Sequence, residues 1–409
     1  MLSSGTALVQ IVAMLASPLL TRLYTPEDFG VYSVYVSIAT IIQVIVCLRF
    51  DVPITLADKN EKARNLLILC VLSAFIISII TGVITVFFHQ KIGQFVGLKE
   101  NTELLVFISV SVFLGGVYSA GTYWRIRENK YKVITQSKIT QSLPQTFSQL
   151  YFGYMMYGVV GLILGELIGR LLGSLNLWKG KLIRLLIINP YEESIHLKST
   201  AIEYKKFPLI SSWSALINSG SLVLPALFIA WQYGLIAAGA YSLVQRVFAI
   251  PVNLIGQAMA TVYMGTASKL KHDNIKQLGV LYTKTMVTLF FIGIIPVVII
   301  GIYGVEIFTW VFGKKWQLAG QVSQVLAVLF LFRFAMSPVS QTLMILEKQY
   351  IQLIWDVSRI ISVVAVFGIS ITDNYPVFDM LIGYSIVIVG FNFLHVFLTY
   401  IQLTKKERA

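Results

Sequence analysis

The chain has 409 residues, of which 56% are hydrophobic and only 12% are charged. Soluble proteins carry about 25% charged residues, so this composition excludes an ordinary soluble protein and predicts that much of the surface faces lipid. The formal net charge of +13 would suit nucleic-acid binding, but the positions of the cations, given below, argue against it. The two cysteines, Cys47 and Cys70, lie in apolar runs, where we expect small core residues without a disulfide framework or a metal motif.

The first apolar run begins at Leu2, without a basic segment before it or a cleavage site of small residues after it. We therefore expect it to be retained as a helix and not removed as a signal peptide. A helix that crosses the hydrocarbon core needs about 20 apolar residues. By that measure the sequence predicts an all-α polytopic membrane protein with about 12 transmembrane helices, at residues 2–21, 31–48, 66–88, 104–124, 133–156, 158–178, 207–230, 235–263, 285–303, 321–346, 351–371 and 380–403.

Lysine and arginine concentrate on one side of the predicted membrane. With the N-terminus in the cytoplasm, 22 of the 32 basic residues fall in cytoplasmic segments, 5 fall in outer loops and 5 fall inside spans. Cytoplasmic loops of membrane proteins carry such an excess, so we expect a multi-pass membrane protein with both termini cytoplasmic. The orientation in the membrane therefore explains the excess of positive charge, and we expect no nucleic-acid partner.

An internal repeat divides the chain. Residues 3–10 (SSGTALVQ) align with residues 211–218 (SSWSALIN), and residues 30–33 (GVYS) align with residues 239–242 (GAYS). Six spans in each half give both halves the same orientation, a design in which a central cavity lies between parallel repeats. The alternative is a chance match among small residues of apolar helices. The predicted domains are an N-terminal six-helix lobe, a cytoplasmic linker and a C-terminal six-helix lobe, at residues 1–178, 179–206 and 207–409.

The sequence contains none of the patterns that mark common catalytic sites: no D-x-D pair, no H-E-x-x-H, no glycine-rich phosphate loop and no G-x-S-x-G. The predicted outer loops are also too short to fold as catalytic domains. A membrane polymerase or glycosyltransferase would need one or the other, so we predict a protein that is not an enzyme, with no catalytic residues and no metal site. Of the four histidines, only His395 falls inside a predicted span, where we expect a packing role.

Ionisable side chains inside a membrane are costly and by default functional. Glu166 lies four residues before Arg170, so the two can meet on one helix face. Asp356 lies three residues before Arg359 and can do the same. We interpret both charge pairs as structural, with a functional role as the alternative. The ionisable residues inside predicted spans are Lys138, Glu166, Arg170, Arg246, Arg333, Asp356 and Arg359.

Three of these cations, Lys138, Arg246 and Arg333, have no acidic residue within four positions. Five cations against two acids suit an anionic substrate, so we predict that these three residues line a substrate-binding cavity. Each arginine is followed five residues later by a proline, Pro251 or Pro338. Proline releases the carbonyl four residues before it, and a released carbonyl is tolerated where a helix borders a cavity. The alternatives are pairing between helices, snorkelling of Lys138 to the surface, and an ordinary helix kink at each proline.

The fifth predicted span is unusually polar and carries, at helical spacing, Lys138, Gln141, Ser142, Gln145 and Gln149. A stripe of amides and hydroxyls facing lipid would be very unfavourable. We predict that Gln145 and Gln149 face the cavity and bind sugar hydroxyls, and the alternative is hydrogen bonding between helices.

The sixth predicted span has glycine at every fourth position, Gly161, Gly165, Gly169 and Gly173. A ridge of small residues permits close contact between helices, so we predict a packing role.

Four groups of segments along the chain carry a further pattern. They are residues 20–30 (LTRLYTPEDFG); residues 48–51 (LRFD) followed by 58–61 (DKNE); residues 204–208 (YKKFP) with 245–247 (QRV) and 255–258 (IGQA); and residues 312–313 (FG) with Trp316 and 319–320 (AG). These segments resemble the Wzx-type flippases of O-antigen and capsular polysaccharide, in the MOP exporter superfamily that also contains the MATE and MurJ transporters. The resemblance runs nearly end to end. Within the second group, we count Arg49 and Asp51 as a further charge pair.

The resemblance implies that the chain flips undecaprenyl-pyrophosphate-linked oligosaccharide repeat units from the cytoplasmic to the outer leaflet by alternating access. It implies lipid-linked oligosaccharide and membrane lipids as partners, with polysaccharide polymerase machinery as a further one. No cofactor is implied beyond a coupling ion, H⁺ or Na⁺. The alternative is a MATE-type ion-coupled antiporter of drugs or cations, for which we would expect buried acids and not buried cations.

The chain departs from the family pattern in two places. Lys138 stands where the resemblance leads us to expect an arginine, so the charge is kept but bidentate phosphate binding is lost. The basic stretch that usually precedes the Ser-Gly-Thr-Ala segment is missing, so we expect the native start to lie upstream of Met1.

Overall fold

The computed structural model describes residues 2–180 and 190–408, with backbone only for residues 2–8, 190–195, 272 and 405–408. This part of the chain is almost entirely helical and contains no strand. Its helices are α1 Leu2–Leu23, α2 Pro26–Ile45, α3 Asp51–Ile54, α4 Asn60–Phe95, α5 Phe107–Arg127, α6 Tyr131–Tyr154, α7 Val159–Leu177, α8 Pro190–Glu203, α9 Ser212–Tyr233, α10 Leu235–Pro251, α11 Gln257–Asp273, α12 Ile275–Phe312, α13 Gln317–Met336, α14 Thr342–Ile345, α15 Gln349–Thr372 and α16 Val377–Arg408.

Ten helical segments of the described chain are long and apolar enough to cross a membrane. They overlap ten of the predicted spans, with ends that differ by up to about ten residues. The other two predicted spans are also helical. Helix α1 has 22 residues, with side chains described from Val9 onward, and α6 has 24 residues and is more polar than the ten. The prediction of an all-α polytopic membrane protein is therefore confirmed, while the number of twelve spans stays a prediction.

Contacts group the chain into two compact units, Met1–Gly239 and Ala240–Ala409. In the first unit, α6 packs against α7 and α1, α4 packs against α5, and α2 packs against α9. In the second unit, α13 packs against α12 and α16, and α15 packs against α16. The predicted lobes divide the chain earlier, at the linker 179–206, of which residues 181–189 lie outside the described part. The division into two lobes and the cavity between them stay predictions.

Two glycines of the internal repeat meet inside the first unit. A Cβ atom on Gly30 would overlap the carbonyl oxygen of Leu235, and a Cβ atom on Gly239 would overlap that of Pro26. Each of these carbonyls lies four residues before the other glycine, so the contact is reciprocal. Only glycine lets two helix backbones approach this closely. Because the two glycines occupy equivalent positions in the aligned segments, their contact favours a true repeat over a chance match.

The glycine ridge of α7 packs against α6. A Cβ atom on Gly165 would lie 2.9 Å from the backbone nitrogen of Gln149, and one on Gly169 would lie 2.6 Å from the carbonyl oxygen of Gln141. Side chains would hold the two helices apart at both points. The predicted packing role of the ridge is confirmed.

The helices that carry Arg246 and Arg333 both lose regular α-helical geometry at a proline. Helix α10 ends at Pro251, and a π-helical turn follows at Val252–Gly256. Helix α13 ends immediately before the 3-10 turn Ser337–Val339, which contains a proline at its second position. Proline has no N–H and its ring clashes with the preceding turn, so the α-helical hydrogen-bond ladder stops there. Irregular backbone therefore lies close to both arginines.

Candidate functional site

A buried ion pair lies on α7 in the first unit. Arg170 Nη2 lies 2.6 Å from Glu166 Oε1, and Glu166 is only 3% exposed. Arg170 Nη1 also donates to Gln43 Oε1 on α2 at 3.2 Å and to the carbonyl of Ser111 on α5 at 3.4 Å. The structure thus places Glu166 and Arg170 together, in a set of contacts that joins three helices. Removing one partner of such a buried ion pair destabilises the folded protein.

The polar residues of α6 lie in different environments. Gln149 is 2% exposed and donates through Nε2 to the carbonyl of Leu162 on α7 at 3.0 Å. Its own backbone carbonyl accepts a hydrogen bond from the hydroxyl of Tyr24 at 2.6 Å. Gln145 and Lys138 are half-buried, and their side chains make no hydrogen bond or ion pair within the described part of the chain. Gln149 therefore bonds between helices, and a role for the three residues toward a substrate stays a prediction.

Arg49 and Asp51 lie in a tight turn after α2. Leu48 and Arg49 have φ of 48° and 58°, in the left-handed region that residues other than glycine rarely adopt. Asp51 is buried and accepts hydrogen bonds from the hydroxyl of Ser119 at 2.8 Å and from the N–H of Val52 at 3.0 Å. Among the described residues no ion pair joins Arg49 to Asp51, and the buried Nε of Arg49 has no hydrogen-bond partner. Here a hydroxyl and a backbone amide, not the predicted cation, bind the carboxylate.

A cluster with excess positive charge lies in the second unit. Arg333 on α13 is exposed, and its Nη1 donates to Gln245 Oε1 on α10 at 3.3 Å. Gln245 in turn donates to the hydroxyl of Tyr241, one helical turn earlier. Arg333 also interacts electrostatically with the hydroxyls of Tyr241 and Tyr384. A second cation, Arg359 of α15, lies in the same region. We call Tyr241, Gln245, Arg333, Arg359 and Tyr384 the arginine cluster.

The sequence analysis named Arg333 but missed the neutral groups around it. The sequence does indicate that two of these groups lie together, because Tyr241 and Gln245 are four residues apart and share one face of α10. Arg246 follows Gln245 directly and is half-buried, and its predicted substrate role stays a prediction. Tyr384 had no such signal, since it reaches Arg333 from a different helix.

Asp356 on α15 connects Arg359 with the last helix. Arg359 Nη2 donates to Asp356 Oδ1 at 3.1 Å, and the Arg359 guanidinium carbon lies 4.6 Å from the centre of the Trp355 ring. Gln352 Nε2 donates to Asp356 Oδ2 at 3.1 Å. His395 Nε2, on α16, lies 3.1 Å from Gln352 Oε1. The structure thus pairs Asp356 with Arg359, as expected, but it makes His395 part of a polar chain between two helices and not a packing residue alone.

Other cations hold helix ends in the first unit. Arg127 Nη1 donates to the carbonyls of Ile54 and Ala57 at 3.0 and 2.6 Å. Arg125 Nε donates to the carbonyl of Leu177, the last residue of α7, at 2.9 Å. Cations complement the free carbonyls at helix C-termini. These two arginines therefore bind carbonyl groups at or near the ends of helices.

Glu128 follows α5 and bridges Arg125 and Lys130. Its Oε2 lies 2.8 Å from Arg125 Nη1 and 3.0 Å from Lys130 Nζ. Partial burial raises the pKa of Glu128, but the hydrogen bonds to Lys130 and Arg125 outweigh burial and hold that pKa below its ordinary value. The two free cysteines, Cys47 and Cys70, are buried as expected. No three metal-ligating side chains gather anywhere in residues 2–180 and 190–408 whose side chains are described.

The long apolar helices define a multi-pass membrane protein. An inward-facing multidrug resistance MATE family transporter of the MOP superfamily aligns with 98% of this chain and 96% of its own, at a TM-score of 0.70 and 17% identity. The lipid II flippase MurJ, in an inward closed conformation, aligns with 99% of this chain and 89% of its own, at a TM-score of 0.77 and 15% identity. A MATE structure in a bent conformation aligns with 100% and 94%, at a TM-score of 0.59 and 15% identity. At such identities the similarity establishes a MATE/MurJ-like transporter fold.

The family itself is established by sequence. A family model described as polysaccharide biosynthesis protein matches residues 19–321, which is most of the chain. The protein belongs to this family. No curated protein matches the sequence. The resemblance drawn from the sequence motifs is therefore confirmed for the family and for the superfamily fold.

Proposed function

We propose that this protein is a flippase that moves undecaprenyl-pyrophosphate-linked oligosaccharide repeat units, of O-antigen or capsule, across the bacterial inner membrane by alternating access. In this proposal both termini are cytoplasmic, the cargo passes from the cytoplasmic to the outer leaflet, and the protein is a transporter and not an enzyme. Membership of the polysaccharide biosynthesis family supports the glycan part of the cargo. The fold shared with MurJ, a lipid II flippase, supports a lipid-linked cargo. Polysaccharide polymerase machinery would receive the product on the outer side.

The arginine cluster carries the proposal. The cluster contains two arginines, Arg333 and Arg359, and among the described residues only Arg359 has an acidic partner. An arginine inside a span costs several kcal/mol unless it is hydrated or neutralised (roughly 2.5–3.5 kcal/mol on insertion scales). A pyrophosphate group would neutralise Arg333, because its oxygens match the planar fork of a guanidinium with two parallel hydrogen bonds. The amide of Gln245 and the two phenols around Arg333 offer further hydrogen-bonding groups.

A MATE-type antiporter of drugs or cations is the competing function. Binding of a cationic drug requires an acid that is free to pair with it. Glu166 and Asp356 are the acids inside the predicted spans, and each is bound to an arginine. The charge balance therefore favours an anionic cargo.

The test is complementation of a strain that lacks its own flippase but retains the enzymes that build the lipid-linked repeat unit. Arg333→Gln should abolish surface polysaccharide while its amount in the membrane stays near that of the native protein. Arg333→Lys should retain partial activity, because the charge remains but the fork is lost. Lys314→Gln is the matched control: Lys314 is also an exposed cation of the second unit, in a predicted outer loop, and its loss should leave polysaccharide unchanged.

Normal surface polysaccharide with Arg333→Gln would contradict the anion-binding role. A fall in the amount of this variant in the membrane would instead assign Arg333 a structural role. The same pair of measurements on Arg246→Gln tests the second predicted arginine independently.

A further inference from the structure

A buried histidine lies at the contact between α15 and α16 in the second unit. His395 is only 2% exposed, and its ring packs edge-on against Trp355 with the ring centres 5.0 Å apart. Its Nε2 atom meets the side-chain oxygen of Gln352, whose nitrogen donates to Asp356. The polar chain therefore runs from the histidine through the amide to the carboxylate that binds Arg359.

The hydrogen bonds along this polar chain of side chains determine which ring nitrogen of His395 carries the proton. Asp356 is paired with Arg359, so it is a carboxylate and only accepts hydrogen bonds. Gln352 must then turn its NH₂ toward Asp356 and its carbonyl oxygen toward His395. A carbonyl oxygen only accepts, so Nε2 of the histidine carries a hydrogen and donates it. In the neutral ring the basic lone pair is consequently on Nδ1.

That basic atom has no partner in the part of the chain that the structure describes. His395 Nδ1 is buried and makes no hydrogen bond there. Leaving a buried polar atom unpaired is unfavourable, so its retention in a span requires a reason. We propose that His395 is the proton-binding residue of the transport cycle. A proton from water forms the Nδ1–H bond, the neutral imidazole becomes an imidazolium, and no electrons are exchanged.

Protonation of His395 acts on the arginine cluster through Asp356. The charged and titratable groups that face this region are Asp356 and Arg359 from α15, Arg333 from α13, Tyr384 from α16 and Tyr282 from α12. An imidazolium adds a second cation beside the one carboxylate that neutralises Arg359. The cluster then carries more net positive charge and binds an anion more tightly. By linkage, a bound anion favours proton uptake to the same degree. This coupling rests on the anionic cargo proposed above.

Two further polar groups lie near His395. Thr399 lies one turn beyond His395 on the same face, and Tyr282 of α12 lies beside it. Both hydroxyls are buried and lie close to each other. Hydroxyls both donate and accept hydrogen bonds, as a path for a proton requires. They lead from His395 toward the C-terminal end of α16, which the charge pattern predicts to be cytoplasmic.

The proton-binding step is tested first, without any cargo. The chain has four histidines, so NMR of protein labelled at histidine and purified in detergent resolves few signals. His395→Gln assigns one of them, since glutamine keeps an NH₂ donor for Gln352 but has no basic lone pair. The assigned signal should titrate reversibly, and Asp356→Asn should weaken proton binding by at least about threefold, because a neutralising charge is lost. A His395 signal that does not change between about pH 4 and 9 would overturn the proposal.

The coupling step is tested by complementation at several external pH values. His395→Gln should reduce surface polysaccharide about tenfold or more, a loss comparable to removing a general acid–base group, and should remove its dependence on pH. His89→Gln is the matched control, because His89 Nδ1 already has a partner, Thr102 Oγ1, at 2.8 Å. Full activity of His395→Gln would overturn the coupling. If the native chain itself restores no polysaccharide, the proposed cargo is wrong, while the NMR titration still decides the proton site.

Discussion

Replacing Glu166 with glutamine removes the charge that neutralises Arg170 inside the first unit. The glutamine can accept one hydrogen bond, but the guanidinium keeps its full charge with only Gln43 and a backbone carbonyl as partners. Removing one partner of a buried ion pair costs about 3–5 kcal/mol. For a unit of this size, that loss corresponds to a fall in Tm of about 6–20 °C.

The assay is thermal unfolding of the purified protein in detergent micelles, at one protein concentration and one heating rate. The double variant Glu166→Gln/Arg170→Gln should recover much of the lost stability, because no unpaired charge remains. The matched control is Asp356→Asn. The side chain of Asp356 is 31% exposed, against 5% for Glu166, and Arg359 keeps its contact with Trp355. A pair with this much exposure contributes nearer to about 1 kcal/mol.

A Glu166→Gln variant as stable as the native protein would refute this reasoning. It would mean that Glu166 is already protonated, or that Arg170 is neutralised by something other than the carboxylate. A double variant less stable than either single variant would also contradict it, since the charges would then act independently.

Alkaline phosphatase fused after Trp316 should be active on the outer face and a fusion after Glu193 should be inactive; the reverse pattern would contradict the topology. Gly165→Leu should lower stability by about 1–3 kcal/mol, because even a Cβ atom would crowd α6. Gly301→Leu, on an open helix face, should be neutral in the same thermal assay. The lowered pKa of Glu128 means that its contribution to stability is present above its unfolded pKa and is lost as the pH falls through its folded pKa. The Tm of the native protein should therefore drop as the pH falls below 4.5, and Glu128→Gln should show a smaller drop.

Features that depend on spacing within one helix could be predicted from the sequence. The run lengths of apolar residues predicted the long helices, and intervals of three and four residues predicted the two charge pairs. The glycine ridge and the two proline interruptions are of the same kind. In each case the property belongs to a single helix, so its pattern is present in a continuous stretch of sequence.

Contacts between helices could not be predicted in this way. Gln149 was expected to face a cavity, yet it donates to a carbonyl of α7, because the rotation of α6 about its axis is set by packing against that helix. His395 was assigned a packing role since it is the only histidine in a predicted span and is not placed like a metal ligand. Its partner, Gln352, lies 43 residues away on α15. Which side chains meet depends on the relative height and rotation of two helices, and one sequence does not contain that information in a readable form.

The reciprocal contact of Gly30 and Gly239 restricts how the two halves of the chain can diverge in evolution. A side chain on either glycine strikes a carbonyl of the other segment, so the damage cannot be repaired by making the opposite residue smaller. The opposite residue is already glycine, and the obstructing atom is backbone, which every residue has. Packed residues usually change together through compensating pairs of substitutions. No second substitution can compensate for a side chain at either of these glycines. Each half therefore has to retain its own glycine, however far the surrounding sequences drift apart.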